Sequence, residues 1–414
     1  MEGHGGLVGH LVKGVLRLHG ETNLSGQKIT TAYNHVGQIV GFNENGLIYA
    51  LGNGNNLDSN GSGWSLTRYS GADRGGSDIG NWGAVVRLGD KLKEGNDGAL
   101  TFDDQAHTVT VNNGNDGTIK DTNAFAAYAL AFVFAKTDTG KTEALKVKTV
   151  VNREAKQTVT LTGNVDLTGT GIIGIGKDNI EKDKSAQKFT GTLDGGGNTI
   201  TLDIGTPYGN GISDRNNNAA GQLYAKRSDQ RDMHYSLALI PFAGDVTISN
   251  LTIAGNVNCK IPKTVNQEEK EIKYPAFVAS AIGCASGKTK FNSAIVNTKV
   301  SVEEESDAKK LLTWQGGFLA RCEGNILSFT NCTWKDSASL DDERNTDNHR
   351  IGGLAAEVMG GSTVTVKDCT LSGSITSKST ANANVGGLIA VSRGEDSNTV
   401  SYTHLRAHET GRNL

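Results

Sequence analysis

The chain has 414 residues, 54 of them glycine and 4 proline, where average proteins hold about 7% and 5%. Glycine without a three-residue period excludes a collagen helix, and scarce proline excludes a Pro-rich linker. Lys+Arg 41 against Asp+Glu 44 leaves a formal charge of −3, which lacks the basic excess that a nucleic-acid partner demands.

In chain order, Gly5-Gly6-Leu7-Val8-Gly9 and Gln38-Ile39-Val40-Gly41 repeat one element at a step of 32 residues. Residues 52–64 are rich in Gly, Asn and Ser and read as loop. Strand-like stretches without the repeat follow between Trp82 and Leu100 and at Thr108–Val111. The run from Thr122 to Ala135 places Phe125, Tyr128, Ala129 and Phe132 at helical spacing, which predicts an amphipathic helix capped by Thr122 or Asn123. It is too short to span a membrane, and no run of 18 apolar residues exists elsewhere. Strands are expected at Val159–Leu161, Asn164–Leu167, Phe189–Asp194 and Asn198–Ile204, with a glycine turn at Gly195-Gly196-Gly197.

The second half is a repeat. The pattern apolar-x-apolar-x-x-apolar-x-apolar occurs at Val246, Ile248, Leu251, Ile253 and again at Thr289, Phe291, Ala294, Val296. It recurs at Leu327, Phe329, Cys332, Trp334 and at Val364, Val366, Cys369, Leu371, with steps of 43, 38 and 37 residues. Alternation at period 2 is a strand with one buried face. The two central residues are polar each time (Ser249-Asn250, Asn292-Ser293, Thr330-Asn331, Lys367-Asp368). They shift the phase by one, as a corner between two strands must. In step with this, Gly316-Gly317, Gly352-Gly353 and Gly386-Gly387 each precede two apolar residues and an alanine. A glycine pair fits a tight turn with positive φ.

A unit of about three short strands cannot bury its apolar side alone, so the units must stack. A propeller also repeats near 40 residues but needs four longer antiparallel strands per blade. The expected architecture is therefore all-β, a right-handed parallel β-helix, with the helix near residue 122 capping its first coil. Residues 1–51 read as the end of a preceding β-helix module, 52–120 as a β-rich connecting segment, and 121–398 as helix plus β-helix. The five cysteines, from Cys259 to Cys369, have no metal-ligand spacing, and Cys332 and Cys369 are expected as buried neighbours in adjacent coils.

Gly5-Gly6-Leu7-Val8-Gly9, the strand from Asp166, the Phe189–Ile200 segment and Gly386-Gly387-Leu388-Ile389-Ala390 resemble large bacterial surface proteins with GLUG-type, adhesin-like β-helix repeats, common in gut Firmicutes. Leu193 departs from the phenylalanine usual there, and Pro275–Ala279 is a weak rung. The resemblance implies a secreted, wall-linked, multi-module protein with no established enzyme activity. The string Val400–Thr410 is also the reading, in one frame, of a sequencing-library adapter, so residues 399–414 are expected to be adapter-derived and to make no native contacts. His404 and His408 are discounted as ligands for that reason.

No GxSxG, HExxH or phosphate-loop motif occurs. Asp194 before a glycine run is expected to shape a turn. Charged insertions fall in the same phase of the repeat: Lys260–Lys273 with Glu268, Glu269 and Glu271; Glu303–Lys310 with Glu304, Glu305 and Asp307; and Lys335–Arg350 with Asp341, Asp342 and Glu343. Same-phase loops emerge on one side of a solenoid. The insertion from Gly205 to Tyr235 carries Asp229, Arg231, Asp232 and His234. The expectation is a non-enzymatic extracellular surface, adhesion or stalk module facing glycans or cell-surface proteins. It has no catalytic, cofactor or metal residues, no nucleic-acid partner and no membrane insertion. The alternative is a polysaccharide-active lyase- or hydrolase-like fragment.

Overall fold

The computed structural model describes most of residues 98–134, 156–205, 236–261, 276–304 and 312–393, and the strand pairing of further segments outside them. Nearly all the pairing is parallel, in long ladders, and the fold is a parallel β-helix closed by one helix. Each complete coil holds four strand segments. In one coil these are Thr313–Gly316, Leu319–Cys322, Ile326–Thr330, and a split fourth made of Thr333–Trp334 and Ser339–Asp342.

The central ladder runs Val159, Leu193, Ile248, Phe291, Phe329, Val366, each register partner of the next. All six are buried. Phe291 and Phe329 stack face to face with centroids 5.0 Å apart, and Phe318 meets both edge-on. Every inward position of the four-copy pattern is buried, as its period predicts.

The corners carry the unusual backbone. Asn250, Ser293, Asn331 and Asp368 have φ of 49–53°, the second polar residue of each pair. The left-handed conformation costs an ordinary side chain energy, and Asn and Asp tolerate it best. It turns the chain and resets the phase, so the strands before and after it both point their apolar residues inward.

The glycine pairs act differently from the expectation. The positive-φ glycines among the described residues include Gly196, Gly197 and Gly361, but not Gly316, Gly317, Gly352 or Gly353. Those four are needed for close approach. A Cβ on Gly317 would lie 2.1 Å from the carbonyl oxygen of Gly353, and one on Gly353 would lie 2.1 Å from that of Gly387. Glycine stacks on glycine where two strands of one coil nearly touch, and the gap admits the indole of Trp334.

The helix spans Thr122–Phe134. Its cap is Asp121, not Thr122 or Asn123: the Ala124 amide donates to Asp121 Oδ1 at 2.9 Å. Thr122 instead accepts the Asp166 amide across 2.9 Å, tying the helix to the first coil. Its described apolar residues are buried on several faces, Ala126, Ala127 and Ala131 as well as Phe125 and Phe132. It is therefore an apolar plug rather than an amphipathic surface helix, and Phe132 packs on Phe189 of the first coils at 6.0 Å.

Toward the amino end, Val8–His19 lies parallel to Val40–Leu51 with Val8 opposite Val40, the 32-residue step of the sequence. Ser65–Arg68 continues beside Lys28–Thr31, and Ala84–Leu88 beside Leu47–Leu51, so the coil pattern runs past residue 51. Leu100–Asp103 and Thr108–Val111 form an antiparallel pair. At the other end, Thr399–Thr403 pairs with Thr363–Lys367, and Arg406–Ala407 with Thr370–Leu371. Against an expectation of no native contacts for residues 400–414, these two segments are placed in register on the last coil. An open solenoid edge accepts any extended β-prone segment, and Val400 and Tyr402 alternate in step with Val364 and Val366.

Gly353→Ala places a Cβ against backbone that cannot step aside. The expected cost is about 1–3 kcal/mol, read as a lowered midpoint in a thermal or urea melt. An unchanged midpoint would contradict the stacked-glycine contact.

Candidate functional site

The connections joining the fourth strand of one coil to the first of the next leave and return in register. Ile261 stands opposite Glu304, and Ala276, Thr313, His349 and Ala383 form one ladder at the return. The insertions therefore start and end along one edge of the solenoid. Glu303 is exposed there; Glu268, Glu269, Glu271, Glu305 and Asp307 lie outside the described residues. Asp194 shapes its turn as expected, accepting the Gly196 amide at 3.1 Å, and it also accepts Asn250 Nδ2 at 3.1 Å. In the insertion after Gly205, Ala225–Asp229 and Asp232–Leu237 form an antiparallel hairpin. Its register sets Arg227 opposite His234 and Asp229 opposite Asp232, while Arg231 lies outside the described residues.

The third acidic stretch departs from the reading of a solvated loop. Asp341 and Asp342 end the strand Ser339–Asp342, and Asp342 is fully buried. Its register partner one coil earlier is Val302, an inward position. Alternation thus drives a carboxylate into the interior, where it needs partners. Arg344 Nε donates to Asp342 Oδ1 at 2.8 Å, His349 Nδ1 hydrogen-bonds Asp342 Oδ2, and Arg344 Nη2 donates to Thr313 Oγ1. Gln315, buried in the neighbouring ladder position, donates to the carbonyl oxygens of Val300 and Asp341. Asp341 lies on the opposite, half-buried face and accepts Ser339 Oγ at 2.6 Å, and Glu343 is exposed and paired with Lys378. Burial alone would raise the Asp342 carboxyl; the hydrogen bond from His349 and the charge of Arg344 outweigh it and hold the group below the usual carboxylate range. The three side chains are buried, and they tie together the two strands that flank residues 345–348.

A second charged group lies outside the central core. The first and second strands of successive coils form two facing ladders. One runs Phe277, Trp314, Arg350, Asn384; the other runs Phe242, Cys284, Arg321, Glu357, Val391. Their side chains form a second buried cluster that starts aromatic: Phe277 packs on Trp314 with ring centroids 4.8 Å apart. It ends charged. Glu357, 1% exposed, takes Arg350 Nη1 at 2.6 Å and faces Arg321 Nε at 3.4 Å and Arg393 Nε at 3.5 Å. Trp314 Nε1 donates to its other oxygen. The guanidiniums of Arg321 and Arg350 lie 5.1 and 5.3 Å from the Trp314 ring centre. Burial, with the nearby charges of Arg393 and Arg321, pulls Arg350 below the usual guanidinium range against the opposing Glu357. The sequence reading missed this group. Its signal was the residue after the alanine in the first two Gly-Gly elements, Arg321 and then Glu357, 36 positions on.

Cys332 and Cys369 are buried neighbours, joined through the Thr370 amide donating to the Cys332 carbonyl at 2.9 Å. Among the described residues, no three His, Cys, Asp or Glu side chains are grouped to hold a metal ion, and no helix is long and apolar enough to cross a membrane. Comparison with family models, curated proteins and solved structures finds no match.

Asp342→Ala leaves Arg344 buried without its Asp342 counter-charge and His349 without its Asp342 hydrogen bond, and the expected loss is about 3–5 kcal/mol. The sign with pH follows from the depressed carboxyl. Its stabilisation is present above the ordinary Asp value of about 3.9 and is lost as pH falls through the lower folded-state value. Melting curves taken downward from pH 7 should show an acid limb that Asp342→Asn flattens; an identical limb in the variant would contradict the assignment.

Proposed function

We propose that the chain is a non-enzymatic extracellular surface module, of the adhesion or stalk kind, that presents charged connections along one edge of a β-helix. One observation carries the reading: the insertions leave and return at equivalent register positions, coil after coil. A solenoid with variable segments aligned on one edge offers an extended face to a long partner. The partners that suit it are glycans or cell-surface proteins. The GLUG-type resemblance of the glycine-led rungs agrees with a place at a bacterial cell surface or wall. Two of the acidic candidates are engaged structurally, Asp194 in a turn and Asp342 with His349 in a buried cluster.

A second reading, polysaccharide cleavage, draws on the hairpin that sets Asp229 opposite Asp232 and Arg227 opposite His234. The two are separated by one experiment: a glycan and host-protein array probed with the full chain, beside a lyase and hydrolase screen on polysaccharides. The surface-module reading expects binding that survives Asp232→Ala and His234→Ala and weakens when Glu303, Glu304 and Glu305 are neutralised. Turnover abolished by either hairpin change, with the fold intact, would overturn it.

A further inference from the structure

Among the buried nucleophiles, one pair lies where two coils meet. The chain has five cysteines, all free and all buried. Cys332 and Cys369 stand in step on adjacent coils: Thr330 is the register partner of Lys367 just before them, and Thr333 of Thr370 just after. Cys332 Sγ lies 3.4 Å from the carbonyl oxygens of Phe291 and Thr330, and Cys369 Sγ 3.3 Å from that of Lys367. The two thiols are also hydrogen-bonded to each other, which pulls the Cys369 thiol down to about 7 and pushes Cys332 up. The other three cysteines have no cysteine beside them in their ladders. Cys259 faces Val302, Cys284 lies between Phe242 and Arg321, and Cys322 lies between Ala285 and Val358. The residues before the two thiols, Asn331 and Asp368, are exposed left-handed corners, so each sulfur sits one residue from solvent.

We propose that Cys332 and Cys369 are a redox pair, which a low-molecular-weight disulfide oxidises to a disulfide bond between coils. Adjacent parallel strands stand about 4.8 Å apart, inside the Cα separations of roughly 4.4–6.8 Å that a disulfide spans. The reaction begins when a corner opens locally. The Cys369 thiolate attacks one sulfur of the small disulfide and expels the other half as a thiolate. Cys332 gives its proton to that thiolate, attacks the Cys369 sulfur and expels the second half, which takes up the proton that Cys369 had released. Two protein thiols are oxidised, and one small disulfide is reduced to two thiols. The new bond joins coils that otherwise hold by ladder hydrogen bonds and packing. Coils of a solenoid touch only their neighbours, so they can separate one at a time. Once the bond closes, the two coils must open together, and the redox state of the surroundings sets how firmly this end of the solenoid holds.

The test is to hold the full folded chain with oxidised glutathione, then alkylate it in denaturant and map its peptides by mass spectrometry. The expected result is that two of the five thiols escape alkylation and that the peptides carrying Cys332 and Cys369 are joined. The rate should rise as pH passes through about 7, where Cys369 ionises. Cys332→Ser should stop the reaction at a glutathione adduct on Cys369, whereas Cys369→Ser should leave Cys332 unmodified. The oxidised chain should melt several degrees above the reduced one, because the closed loop restricts the unfolded chain, and dithiothreitol should reverse the shift. The peptide map of the parent chain does not depend on either variant folding. Five alkylated thiols after oxidation, a bond between any other two cysteines, or a glutathione adduct on the parent chain that never closes would each overturn the pair. An oxidised chain that melts no higher than the reduced one would overturn its role in holding the coils together.

Discussion

The structure depends on one constraint: every coil must bend without turning its apolar face outward. A strand has a side-chain period of two, so a simple bend of even length would leave the next strand in the wrong phase. Two polar residues, the second left-handed at Asn250, Ser293, Asn331 or Asp368, solve this at the same place in each coil. Once the phase is right, like residues stack on like and the hydrogen bonds run between coils. Backbone groups are thereby satisfied by neighbours rather than by hairpin partners.

Stacking also decides what happens to residues that do not fit the apolar pattern. Asp342 stands in register with Val302, so it is carried inside whether or not the interior welcomes charge. The response is local, with Arg344, His349 and Thr313 closing around it. Glu357 follows the same logic outside the central core, where Arg321, Arg350 and Arg393 converge on it. Solvent reaches the second cluster and not the first.

Much of the fold was legible because it is periodic. Val246, Phe291, Leu327 and Val364 announce the stack, and the polar pairs announce the corners. The glycine pairs were visible but their reason was not. Sequence shows that a side chain is absent, whereas the contact of Gly317 with Gly353 exists only once two coils are superposed. The cap at Asp121 was misplaced onto its neighbours because Thr122 is an equally good capper, and only the structure shows its hydroxyl engaged by the Asp166 amide. The charged clusters were hidden for a related reason. Arg344, His349 and Asp342 read as one hydrophilic insertion, and their burial follows from a register with Val302 that composition does not reveal. The alternation Leu340, Asp342, Arg344 was the available clue.

The account rests on in-register parallel stacking, and a crystal structure of the full chain tests that most directly. It should place Ile248, Phe291, Phe329 and Val366 in a single inward column on parallel strands, with Asn250, Ser293, Asn331 and Asp368 all in the left-handed region. Antiparallel hairpins running through those four segments would contradict it.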